Sequence, residues 1–241
     1  MASGWIPPGW ELPEELRERL GEGVGRQRAM LANEHLLLVM HAAPEPDQDE
    51  RQGRAFWRRP DGTWKGTFGK GFEGLKAHLK EYQQKIDELE KSEAAAADSE
   101  AYFEVLAAIT PVHRAIRHGH EALQQAREMV PKDRRLVTAR DDAYALERAA
   151  ELLMSDTRNS FDLHVAKQTE VMTRQGHELA VSGHRLNLLA AMFLPMATLA
   201  SVLGMNLKTG LENSDPPYLF LAALALGAFL GFVLKLWLDR R

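Results

Sequence analysis

Two long uncharged runs dominate the pattern of apolar and polar positions along the chain. Leu186 to Met205 reads LNLLAAMFLPMATLASVLGM, 20 residues without a charge, and Tyr218 to Leu238 reads YLFLAALALGAFLGFVLKLWL, 21 residues with one lysine near its end. At a rise of about 1.5 Å per residue, each run matches a hydrocarbon core about 30 Å thick. Transmembrane helices are therefore expected at 186–206 and 218–238. The loop 207–217, LKTGLENSDPP, is all that separates them, so the chain crosses and returns at once. Arg174, Arg185, Lys235, Arg240 and Arg241 flank the spans, whereas the loop sets one lysine against Glu212 and Asp215. This bias places both termini, including the tail 239–241, in the cytoplasm. Lys235 is expected to snorkel to that interface, with Trp237 beside it as an anchor.

Ahead of the first span the pattern is mostly helical. Phe72 to about Ala97 predicts one helix and Ser99 to Val130 a second, with Pro111 expected to kink it or begin a new one. Together they make a helical hairpin over 72–131. Pro131-Lys132-Asp133 breaks the chain, and from Asp133 to Gly204 only Pro195 interrupts the pattern. That predicts a stalk helix at 132–185 continuing into the first span, roughly 70 residues and about 105 Å long. From Val165 the positions Thr169, Met172, Gly176, Leu179, Gly183, Leu186 and Ala190 follow alternating steps of four and three. A 3.5-residue repeat of this kind marks parallel self-association in a left-handed supercoil. It continues through Leu194, Ala197 and Ser201; the alternative is packing against other helices of the same chain. Upstream the register falls on Asp162, Arg158, Ser155 and Glu151, too polar for a dry seam.

Residues 1–71 read as a small mixed α/β unit. HLLLVMHA (His35–Ala42) predicts a strand, and RAFWRRPDGTWKGTF (Arg54–Phe68) predicts a hairpin turning at Pro60-Asp61-Gly62. The cluster Gly66, Gly69, Gly71 and Gly74 fits no phosphate loop and reads as a linker.

Composition narrows the function classes. A formal net charge of -4 and the lack of a basic stretch point away from nucleic acid. Without cysteine there are no disulfides and no thiolate chemistry. MASGWIPPGWELPEEL has neither a basic n-region nor an apolar core, so no secretory signal is expected. No Ser-His-Asp set, paired carboxylates or phosphate loop emerges, and an enzyme is not expected. The acidic stretch Asp87–Glu100 reads as a solvated face. Gly227 and Gly231 form a small-xxx-small pair suited to packing against the first span.

A transmembrane helix, a short extracytoplasmic loop, a second span and a basic tail resemble the plan of the CorA superfamily. Pro195 precedes Asn206 by eleven residues, as a proline precedes the motif asparagine in that family. Gly204-Met205-Asn206 resembles its signature, and Glu212 falls where many members carry the glutamate of a Met-Pro-Glu loop. The resemblance covers about residues 180–241, with the stalk and preceding helices agreeing in layout. It implies a mainly α fold with a small N-terminal α/β part, in a homopentamer in the cell (inner) membrane. Five first-span helices would surround one ion path, lined by Gly183, Leu186, Ala190, Leu194, Ala197 and Ser201. Leu186 and Leu194 would be hydrophobic constrictions or simply pack. The ring of Asn206 at the mouth would meet a hydrated divalent cation, Mg2+ by default. An amide oxygen accepts hydrogen bonds from metal-bound water without stripping the shell that Mg2+ gives up reluctantly. The cation is cargo, and no resident cofactor is expected.

Three positions depart from the family pattern. Gly183 replaces a bulkier gate residue, Ala197 a common threonine, and Lys208 a frequent acidic residue at the mouth. They keep open a non-conducting membrane scaffold or sensor, while a zinc-handling member is the alternative within transport. His177 and His184 are the weak metal candidates. Seven apart, they stand about 10 Å apart along a helix, too far for one chain to chelate an ion. His113, His118 and His120 have no metal-ligand spacing.

Overall fold

The computed structural model describes residues 5–45, 52–203 and 218–239. The chain divides into two compact units, Met1–Ala166 and Lys167–Arg241.

The first unit is built on an antiparallel meander, β1 (Arg28–Ala32), β2 (His35–His41), β3 (Gly53–Arg58) and β4 (Trp64–Gly66), paired in that order. The strand expected at His35–Ala42 is β2, and the hairpin expected around Pro60-Asp61-Gly62 joins β3 to β4. Strand β1 escaped the sequence reading because RAMLA is short. It is tied to β2 by a two-residue turn in which Asn33 and Glu34 have φ of 49° and 61°, the twist that suits a tight hairpin. The run LLLVM in β2 is apolar at every position because both sheet faces are covered. Leu36, Leu38 and Met40 face the helices, whereas Leu37 and Val39 pack with Met30, Ala55 and Trp57 against Trp10, Leu12 and Leu16 of the N-terminal segment. That segment includes the short helix α1 (Glu14–Glu18). Burying a leucine of this kind stabilises by about 1.5–3 kcal/mol.

Helix α2 (Gly71–Ala95) and helix α3 (Ser99–Met129) form the hairpin against the sheet. Asp98 caps α3, its carboxylate accepting from the Ala101 N–H at 2.9 Å. Pro111 does not begin a new helix; α3 runs through it, and the proline is exposed, so water can serve the carbonyl that loses its donor. The glycine cluster is not a linker but a close-packed passage from β4 into α2. Gly69 and Gly71 have φ of 66° and 55°, and a Cβ on Gly69 would stand 2.7 Å from Gly74 Cα. One on Gly74 would collide with the Phe68 carbonyl.

Helix α4 (Arg134–Leu203) is a single helix of 70 residues, as the unbroken pattern from Asp133 requires. Within the first unit Leu136, Ala139, Ala143, Leu146, Ala150 and Leu153 pack into the main core. Those steps of three and four repeat the 3.5-residue period, here spent within the chain. The second unit holds the remainder of α4 and helix α5 (Tyr218–Asp239). Among the described residues α4 alone is long and apolar enough to cross a membrane; the apolar centre of α5 is Leu224–Val233.

Candidate functional site

In the second unit α4 has two unlike faces. Leu188, Pro195, Met196 and Leu199 are partly shielded, and Ala191 is buried to 5 % exposure. Helix α5 approaches at Met196, Met192 and Ala191, where its glycines allow it. A Cβ on Gly227 would stand 3.2 Å from Met196 Cα, and one on Gly231 would stand 3.1 Å from both Met192 Cα and its carbonyl oxygen. The small-xxx-small pair is therefore a contact face against α4. Pro195 supplies no N–H to the Ala191 carbonyl. That carbonyl faces Gly231, where a Cβ would lie 3.5 Å away, so the bare glycine Cα–H is a weak donor near it.

At about 100° per residue, Gly183, Leu186, Ala190, Leu194, Ala197 and Ser201 centre on nearly the opposite side of α4. All six are exposed, Leu186 at 69 % and Leu194 at 63 %. The seam continues upstream through Leu179 and Met172, exposed at 73 % and 68 %. No described helix of the chain covers it. The same-chain contact that α5 makes with this stretch of α4 lies on the other face, at Met196, Met192 and Ala191. Gly204, Met205, Asn206, Lys208 and Glu212 lie outside the described residues.

His177 and His184 are exposed on α4. Among the described residues no group of three or more His, Cys, Asp or Glu is placed to hold a metal ion. His120 has a structural partner instead, its Nδ1 standing 2.6 Å from Glu147 Oε2 on α4.

Sequence reasoning missed two buried charge clusters in the first unit. Arg54 on β3 makes a bidentate pair with Glu81 of α2 at 2.8 and 3.0 Å, and its Nη1 also donates to His78 Nδ1 at 3.0 Å. Asp133, just before α4, accepts from Arg58 Nε at 2.9 Å and from Arg135 Nε at 2.8 Å and Nη2 at 2.7 Å. Arg135 also reaches the Gly62 carbonyl at 2.9 Å, tying the β3–β4 turn to the start of α4. Burial alone would raise the Asp133 carboxyl; the hydrogen bonds from Arg135 and Arg58 outweigh it and hold the group well below the usual range. The one available signal was the period of two along β3, which puts Arg54 and Arg58 on the same face as Phe56, a core residue on the helix side of the sheet. Their partners lie too far along the chain to be read.

Comparison with known proteins places this arrangement. The family described as CorA-like Mg2+ transporter protein matches residues 15–240. No curated protein matches the chain. Among solved structures, the full-length CmaX protein superposes with a TM-score of 0.59 at 15 % identity, covering 99 % of this chain and 84 % of its own. The cytoplasmic domain of ZntB from Vibrio parahaemolyticus gives 0.53 at 11 % identity, covering 66 % of this chain and 80 % of its own. The CorA magnesium transporter of Methanocaldococcus jannaschii gives 0.46 at 14 % identity, covering 90 % and 79 %.

Proposed function

The chain belongs to the CorA-like Mg2+ transporter family, and from that membership we propose that it is a homo-oligomeric channel passing divalent cations along the seam face of α4. The family is one of membrane transporters rather than enzymes. The observation that carries the reading is the division of α4, with one face packed on α5 and the seam of Gly183, Leu186, Ala190, Leu194, Ala197 and Ser201 left exposed. Five copies is the number the family resemblance implies. α4 and α5 supply the two spans, and the first unit lies in the cytoplasm, in keeping with the charge bias and with the cytoplasmic ZntB domain of like fold. The family resemblance assigns Asn206 to the mouth, where neutral amide dipoles would attract a hydrated cation without trapping it. Mg2+ is the default cargo and Zn2+ the alternative.

Metal uptake into proteoliposomes holding the purified protein tests the reading, comparing Mg2+, Co2+, Ni2+ and Zn2+. Selective uptake, lost in Asn206→Ala, is the expected result. Uptake of no ion by folded, oligomeric protein would instead favour a non-conducting scaffold.

A further inference from the structure

Between the sheet and helices α2, α3 and α4 lies a cavity of about 10 Å³, with Gln27, Met40, His78, Tyr82, Gly119 and His120 in its lining. His78 is fully buried. Its Nδ1 meets Arg54 Nη1 at 3.0 Å, and a guanidinium only donates, so Nδ1 is the acceptor and the ring proton sits on Nε2. Burial, with Arg54 and His41 nearby, pushes the imidazolium down to about 3, so this neutral tautomer persists at ordinary pH. Among the described residues the Nε2–H has no acceptor. The His78 and Tyr82 rings are nearly perpendicular, centroids 5.3 Å apart, and an aromatic ring offers at best a weak acceptor. A buried donor left unmet costs about 1–3 kcal/mol.

Counted as room for the centre of a water-sized sphere, that space just admits one water molecule, and its lining has the chemistry to hold it. Gln27 Oε1 accepts from the His41 N–H at 3.3 Å and keeps a second lone pair. His120 has Nδ1 committed to Glu147, leaving its other ring nitrogen to exchange hydrogen bonds. A metal ion does not suit the site, because the protonated Nε2 offers no lone pair and Arg54 touches the same ring. We propose that this cavity binds a single water, which accepts the His78 Nε2–H and joins the Arg54–Glu81 pair to the His120–Glu147 pair. The bridge is independent of whether the protein conducts.

Gly119→Ala tests it. The added methyl would meet Met40 Cε at 3.2 Å and Gln27 Oε1 at 3.3 Å, taking space from the water. In the full-length protein in detergent, Tm is expected to fall by several degrees, although alanine is favoured over glycine in a helix by about 1 kcal/mol. In a His78→Leu background, with no N–H to strand, the fall is expected to vanish. An equal fall in both backgrounds would mean simple crowding, and a rise in both would mean a dry cavity; either overturns the proposal. Should His78→Leu fail to fold, an experimental density map that resolves waters decides. Density within hydrogen-bond reach of His78 Nε2 supports the site, and its absence removes it.

Discussion

Asp133 has a side chain only 4 % exposed and two arginines bound to it. Removing its charge leaves Arg58 and Arg135 without their counter-ion in a partly buried place. Asp133→Asn should therefore destabilise the protein by about 2–4 kcal/mol at neutral pH, read from denaturation midpoints. The pH dependence has a definite sign. A carboxyl held low in the folded state adds stability that is fully present above its unfolded pKa and fades as pH falls through the folded value. The gap between native and Asp133→Asn midpoints should thus hold from neutral pH down to the ordinary carboxylate range, then narrow with further acid. A constant gap would show that the charge is not what Asp133 contributes. Lys208 is the second residue with a signed expectation. In the proposed channel a ring of lysines at the mouth would repel cations, so Lys208→Ser is expected to raise divalent uptake in proteoliposomes.

The elements divide by how local their causes are. The long helix, the strand at His35–His41 and the β3–β4 hairpin were legible because periodicity and turn residues act over a few positions. The seam was legible in the same way, but not which face of α4 its own chain would cover; that depended on Gly227 and Gly231 lying beside Met196 and Met192. The glycine passage into α2 misled because the reason for its glycines is steric contact with Phe68 and Trp64, invisible in composition. Gly74→Ala should accordingly lower Tm markedly, since the methyl meets backbone rather than a flexible side chain. Gly231→Leu should push α5 from α4 and weaken the folded protein in detergent. Leu186→Ser, on the other face, should leave that contact intact and alter uptake instead. The buried pairs of Arg54 with Glu81 and Arg58 with Asp133 were beyond sequence reading, because residues 27 and 75 positions apart meet only after the sheet and helices assemble.

At the scale of the whole molecule, the proposed ring puts the seam of α4 between copies and around the ion path, with α5 outside it. The chain has no cysteine, so single introduced thiols report without background. The most direct measurement places cysteine in turn at Leu186, Ala190 and Leu194 on the seam and at Ala191 and Leu199 on the α5 face. Each variant is then treated with oxidant and with a charged thiol reagent, and metal uptake is followed. Cross-links between copies and blocked uptake at the seam positions, with neither at Ala191 or Leu199, are predicted. Cross-links and block confined to the α5 face, or uptake indifferent to modification of the seam, would contradict the account.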